Sequence, residues 1–234
     1  RQRQQGSDGL KLAHMCAWAE NAVGLKHLTQ LVSDAHVHGF YYKPRTDLEQ
    51  LARYHEGLTV SSGCINGAIP QFLLRGEYEK AKQALGVYLD IFGKDHFFIE
   101  VQNQGMPEQH AINPSLFQLG KELGVRCIAT NDVHYIRDVE WEAQDALLCI
   151  QTGTKVSDEE RMRMPTHQFY LKSAEEMTLA FPDHPEVLTN TLVVMDQCSA
   201  DLPFGENHYP VFTASHLSEA YQKQYKNNKE LFVG

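Results

Sequence analysis

The stretch VRCIATNDVHYI, residues 125–136, joins an apolar segment directly to a polar ending. Residues 125–130 have the β-branched and small apolar side chains of a buried strand, and Asn131 ends that run. Asp132 and His134 follow two residues apart, which places them on one side of an extended chain. Ligands of parallel α/β folds bind at the carboxyl ends of strands. The stretch therefore predicts a strand that carries a binding site at its carboxyl end.

Strand-like and helix-like segments alternate on the amino-terminal side of this stretch. Three further strands are predicted, at residues 11–18, 57–64 and 96–102. Helical spacing of apolar residues fills the intervals, at residues 21–39, 47–54, 69–93 and 113–124. Such an alternation favours a parallel sheet or a β/α barrel.

The pattern changes after residue 140. Helices are predicted at residues 141–153, 173–181 and 185–198, and the second of them opens with a capping box from Ser173 to Glu176. We therefore expect three parts. They are an α/β domain over residues 1–140, a mostly helical extension over 141–205, and a tail over 206–234 to which no structure is assigned.

The composition limits the classes of function. The chain of 234 residues has 30 acidic and 21 basic residues, a net charge of −9. Domains that bind nucleic acid autonomously usually carry a basic face, so the charge argues against unaided DNA binding. It fits cation binding or a protein partner, and it equally fits an ordinary cytosolic protein. The five cysteines contain no CxxC pair, which favours the reducing cytoplasm, and no apolar run has the length of a membrane span.

Four residues are candidate metal ligands. Cys64 ends the second predicted strand, which would put it at the same rim as Asp132 and His134. His14 falls within the first predicted strand, and the pattern does not fix its depth below the rim. Imidazole and thiolate suit zinc, while carboxylate also admits manganese or iron. Each residue alone is more often a packed core or rim side chain, so the prediction depends on their convergence.

Two other groups of residues have weaker patterns. His36 and His38 form a His-x-His pair, but they fall in the last turn of a predicted helix, where residues two apart do not share a face. We do not expect them to bind metal as a pair. Lys43 and Arg45 follow two tyrosines and could contact a phosphate. The alternative is a surface turn with tyrosine packed beneath it, which we favour on the pattern alone.

Several segments together carry a resemblance to a known family. The segments are GFYYKPR (39–45), VSSGCINGAIPQFLLRGEYEKA (60–81), FFIEVQNQGMPEQ (97–109), ATNDVHYI (129–136), ALLCIQTG (146–153) and FYLKSAEEM (169–177). Over residues 10–205 the chain resembles the polymerase-and-histidinol-phosphatase (PHP) domain of bacterial DNA polymerase III alpha subunits. The resemblance implies a distorted seven-stranded β/α barrel, similar to a TIM barrel, with up to three divalent metals at the carboxyl ends of its strands. It also implies that His14, Cys64, Asp132 and His134 hold metal, with zinc or manganese the expected ions.

The chain departs from the family pattern at its beginning. The family starts with a His-x-His strand and then supplies an Asp, a His and a Glu, and none of these has a match here. We therefore expect an N-terminally truncated fragment whose barrel lacks its first strands and whose metal cluster is incomplete. Such a chain is expected to be inactive by itself.

The resemblance also implies a function for the parent protein. It would be a magnesium-dependent, DNA-directed DNA polymerase of replication, located in the cytoplasm and working with DNA, a sliding clamp and a proofreading subunit. In active family members the PHP domain is a 3′–5′ exonuclease in which water activated by metal attacks the terminal phosphodiester. One alternative is an inactive PHP scaffold that binds a separate proofreading exonuclease. Another is a stand-alone PHP phosphatase, against which the helical extension argues.

Overall fold

The computed structural model describes residues 12–202, 204, 205 and 209. The chain divides into two units, residues 1–201 and 202–234, and the description below concerns the first unit. The predicted tail over residues 206–234 lies outside the described residues, apart from residue 209. The predicted domain boundary at residue 140 stays a prediction.

The first unit is a mixed α/β structure built on a four-stranded sheet. The strands are β1 (Cys16–Ala19), β2 (Leu58–Ser61), β3 (Phe97–Gln102) and β4 (Cys127–Thr130), and they lie side by side in chain order. Strands β2, β3 and β4 are parallel, as the alternation with helices predicts. The prediction is wrong for β1, which runs antiparallel to β2 with Cys16 opposite Ser61.

Eight α-helices belong to the described residues. They are α1 (Ala22–Val37), α2 (Leu48–Arg53), α3 (Ala68–Leu74), α4 (Tyr78–Phe92), α5 (Pro107–Leu123), α6 (Trp141–Thr152), α7 (Ala174–Ala180) and α8 (Glu186–Gln197). The predicted cap at Asp47 is confirmed, because its side chain accepts a hydrogen bond from the Gln50 amide. The capping box of Ser173 and Glu176 is also confirmed. Helix α5 begins six residues earlier than predicted, at a proline that suits the first helical turn.

One face of the sheet is entirely apolar. Alternate residues of the strands point into the main core, which helices α1, α3, α4 and α5 complete. Strand residues in that core are Leu58, Val60, Phe97, Ile99, Val101, Cys127 and Ala129. Cys127 is buried there, which confirms that it packs as a small apolar side chain, and Cys149 of α6 is buried as well.

The opposite face changes character along the strands. Near the amino ends of β3 and β4, Phe98 and Ile128 pack against Val194 of α8. Toward the carboxyl ends the side chains on this face become polar, namely Ser61, Glu100, Gln102 and Thr130. The polar half of this face adjoins the cleft described next.

Candidate functional site

An open cleft of about 910 Å³ lies at the carboxyl ends of the parallel strands. Its walls come from the segment before β1, the end of α1, the loop before α2 and the ends of β2 and β4. The side chains of metal-ligand type that line it are His14, Cys16, Asp34, His38, Asp47, Cys64, Glu100 and Asp132.

His14 and Cys64 form the closest pair of predicted ligands. The His14 Nδ1 atom lies 3.7 Å from the Cys64 sulfur. His14 lies two residues before β1, where it bridges to Gly67 and its amide donates to the Asn66 carbonyl. Gly63 permits this approach, because its φ is +73° and a β-carbon there would lie 2.8 Å from the His14 carbonyl oxygen.

The separation of this pair fits a metal. A tetrahedral zinc bound to imidazole at about 2.1 Å and to thiolate at about 2.3 Å holds the two ligand atoms about 3.6 Å apart. Burial raises the pKa of the Cys64 thiol, and the carboxylates of Asp132 and Glu100 add to that effect. A thiolate at this position therefore needs a cation to offset its charge, which a bound divalent metal would provide.

Glu100 is a buried acid that the sequence prediction missed. It is 5% exposed, and its carboxylate accepts hydrogen bonds from Ser61 at 2.5 Å, Thr130 at 2.6 Å and Gln102 at 2.9 Å. Burial and then the Glu100 carboxylate raise the pKa of the Cys16 thiol to about 11. A signal was present in the sequence, because Glu100 is the one charged residue of the strand FFIEVQ, and buried acids require partners.

The predicted Asp132–His134 pair is separated in the structure. Asp132 lines the cleft and has a φ of +45°. Among the described residues that line the cleft, His134 is absent, and its ring instead packs edge-on against Phe169 with Nδ1 2.6 Å from the Asp132 carbonyl oxygen. The left-handed backbone at Asp132 breaks the alternation that would place both side chains on one side.

The described residues supply an incomplete set of metal ligands. No three His, Cys, Asp or Glu side chains within residues 12–202 and the few described positions beyond them are grouped closely enough to hold a metal ion. His14 and Cys64 thus provide two ligands with suitable geometry, and Asp132 and Glu100 provide nearby negative charge.

The two predicted phosphate contacts line the same cleft. Lys43 and Arg45 belong to the loop between α1 and α2, and the Arg45 guanidinium lies 4.7 Å from the centre of the Tyr41 ring. His36 and His38 occur at the end of α1 as predicted. His36 Nδ1 lies near the Val32 carbonyl oxygen, whereas His38 lines the cleft.

Comparison with known proteins gives a consistent result. Residues 3–104 match the PHP domain family. The chain is 38% identical over 214 residues to DNA polymerase III subunit alpha of Treponema pallidum, which covers 92% of this chain and 18% of that protein. It is 41% identical over 196 residues to the subunit of Borreliella burgdorferi, covering 84% of this chain and 17% of that protein. For Thermus aquaticus the identity is 40% over 209 residues, with 88% and 17% covered. The chain spans less than a fifth of the length of these curated relatives.

Proposed function

This chain belongs to the family of DNA polymerase III alpha subunits and carries their PHP domain, and from that premise we propose that its cleft is a metal-dependent phosphodiesterase site with 3′–5′ exonuclease activity. The observation that carries the proposal is the convergence of His14 and Cys64, 3.7 Å apart, with Asp132 and Glu100 in one cleft. The proposed metals are zinc or manganese, since the ligands combine imidazole, thiolate and carboxylate.

The roles of the residues follow from their positions. A divalent metal bound here would activate a water molecule and offset the charge of a phosphate oxygen. His14, Cys64 and Asp132 would hold the metal, and Lys43 and Arg45 would contact other phosphate oxygens from the opposite wall of the cleft. His134 would contribute only if its ring left Phe169.

We further propose that the sheet is part of the distorted seven-stranded barrel that the resemblance implies. The polar half of its second face would then line the barrel interior, and the remaining ligands would come from strands beyond the four described. In the whole protein we propose a DNA-directed DNA polymerase of replication, active in the cytoplasm with magnesium, DNA, a sliding clamp and a proofreading subunit. The names of the relatives support this proposal, and the similarity extends well beyond the PHP match, through the helical segment.

Metal content per chain, measured together with 3′–5′ hydrolysis of a labelled DNA strand, tests the phosphodiesterase proposal. Cys64→Ala and His14→Ala should each lose bound zinc or manganese and any hydrolysis. Cys198→Ala is the matched control, because Cys198 packs beside α8 and should retain the metal content of the unaltered chain. Equal metal content in Cys64→Ala and the unaltered chain would show that the proposed site is wrong.

A second function has its own supporting observation. The described residues hold no group of three ligands, and His134 packs on Phe169, which favours a scaffold that binds a separate proofreading exonuclease. A chain without metal and without hydrolysis that still binds such an exonuclease would establish this alternative. The stand-alone phosphatase is disfavoured, because the similarity to polymerase subunits covers 84–92% of the chain.

A further inference from the structure

The loop between α1 and α2 exposes an aromatic side chain in an unusual backbone conformation. Tyr42 is 85% exposed and has a φ of +59°, in the left-handed region that bulky residues rarely adopt. Its neighbours Phe40 and Tyr41 are also exposed. A large aromatic residue gains nothing for the fold when it is held in water in a strained conformation. Such strain is concentrated at sites with a function.

The loop is closed by specific contacts that hold Tyr42 in place. The Tyr41 amide donates to the Lys43 carbonyl across the turn at 3.1 Å, and the Tyr41 and Tyr42 rings meet edge to face with centres 4.7 Å apart. The ends of the loop also touch, since a β-carbon at Gly39 would lie 1.9 Å from the Arg45 carbonyl oxygen. The outward position of Tyr42 is therefore part of a closed loop, with Arg45 stacked on the Tyr41 ring.

The position and charge of the loop indicate the kind of ligand. Tyr41, Lys43 and Arg45 line the cleft, whereas Tyr42 projects beyond its lining, so that the loop forms one edge of the cleft mouth. Proteins that bind single-stranded nucleic acid combine cations that contact the backbone with aromatic rings on which bases stack. The loop presents both within four consecutive residues.

We propose that Tyr42 stacks on a base of single-stranded DNA and that Lys43 and Arg45 contact the adjoining phosphates, directing the end of the strand into the cleft. This inference rests on the proposed phosphodiesterase function and deepens it, because it names the substrate class. A polynucleotide strand reaches from the cleft to Tyr42, whereas a small phosphate ester has no base to place there.

The net charge of the chain makes the inference easy to test. A chain with a net charge of −9 has little general attraction for DNA, so binding of a DNA strand reports a local site. Acidic residues also line the cleft, so binding should strengthen when a divalent cation offsets their charge.

The test is the affinity of the full chain for a short, fluorescently labelled oligothymidylate, measured by anisotropy with and without manganese. Tyr42→Asn removes the ring, while asparagine suits the left-handed backbone, so the fold should be at least as stable. We expect the dissociation constant to rise about tenfold in Tyr42→Asn and to change less than about twofold in Tyr42→Phe. Leu179→Asn is the control, an exposed apolar side chain of α7 that does not line the cleft.

The possible outcomes separate this inference from the function on which it rests. Equal affinity of Tyr42→Asn and the unaltered chain, or no binding by the unaltered chain, overturns the role of Tyr42 while leaving metal content and hydrolysis to decide the proposed function. Loss of binding in Tyr42→Asn but not in Leu179→Asn, at an unchanged melting temperature, supports the role of Tyr42 even if the chain hydrolyses nothing. Equal losses in both variants contradict it.

Discussion

Replacement of Glu100 by alanine should strongly destabilise the protein. The carboxylate accepts hydrogen bonds from Ser61, Gln102 and Thr130, and the side chain is 5% exposed. Alanine removes all three acceptor positions, and the three donors cannot all turn toward water in so buried a place. An unpaired buried donor costs about 1–3 kcal/mol, so the free energy of unfolding should fall by about 3–5 kcal/mol. That loss is a large fraction of the stability of an ordinary domain.

Glu100→Gln is the matched variant, because it changes the charge and keeps the shape. Its amide oxygen can accept from Gln102 and Thr130, and its amide nitrogen can donate to the Ser61 hydroxyl, which also serves as an acceptor. We expect a loss of only about 1 kcal/mol, since neutral hydrogen bonds replace charge-assisted ones.

Urea unfolding followed by circular dichroism measures both variants under one set of conditions. The reasoning predicts that Glu100→Ala is several kcal/mol less stable than Glu100→Gln. If the two variants unfold at the same urea concentration, the hydrogen-bond network is not what stabilises this part of the sheet. A large loss in both variants would instead show that the charge of Glu100, rather than its acceptor geometry, matters to the fold.

Two further predictions concern a close backbone contact and an ion pair. Gly24→Ala should lower the free energy of unfolding by about 3 kcal/mol, because its β-carbon would lie 1.7 Å from the Gly57 carbonyl oxygen, whereas Gly86→Ala in α4, with no atom nearby, should raise it by about 0.5–1 kcal/mol; similar urea midpoints for the two variants would contradict this. The Arg161 guanidinium, bonded to the Asp145 carboxylate by two 2.6 Å contacts, holds the pKa of that carboxyl below its usual range. The pair therefore contributes stability that is complete above about pH 4 and is lost as the pH falls further, so the melting temperature of Arg161→Met should fall less than that of the unaltered protein on acidification.

Local signals in the sequence predicted much of the helical structure. A cap such as Asp47 or a capping box such as Ser173–Glu176 satisfies backbone groups within three residues, so its effect is independent of the rest of the fold. The alternation of strands and helices likewise predicted the three parallel strands, since a helix between them is the usual parallel connection. These features depend on residues that are close in the chain.

The role of Glu100 could not be predicted in the same way. An acid within an apolar strand signals that partners exist, but Ser61 lies 39 residues earlier and Thr130 30 residues later. Only the register of β2, β3 and β4 brings them to one face. The sequence thus marks the position as unusual without naming what satisfies it.

The direction of β1 shows how a residue can reach a site for a reason other than the predicted one. The pattern of apolar and polar residues along a strand is the same in both directions, so it cannot tell a parallel from an antiparallel neighbour. Because β1 is antiparallel, the chain before Cys16 continues past Ser61 toward the segment that holds Cys64. A parallel β1 would have carried His14 to the opposite edge of the sheet, far from Cys64. Its place in the cleft therefore depends on strand pairing, and the rule about carboxyl ends of strands does not apply to it.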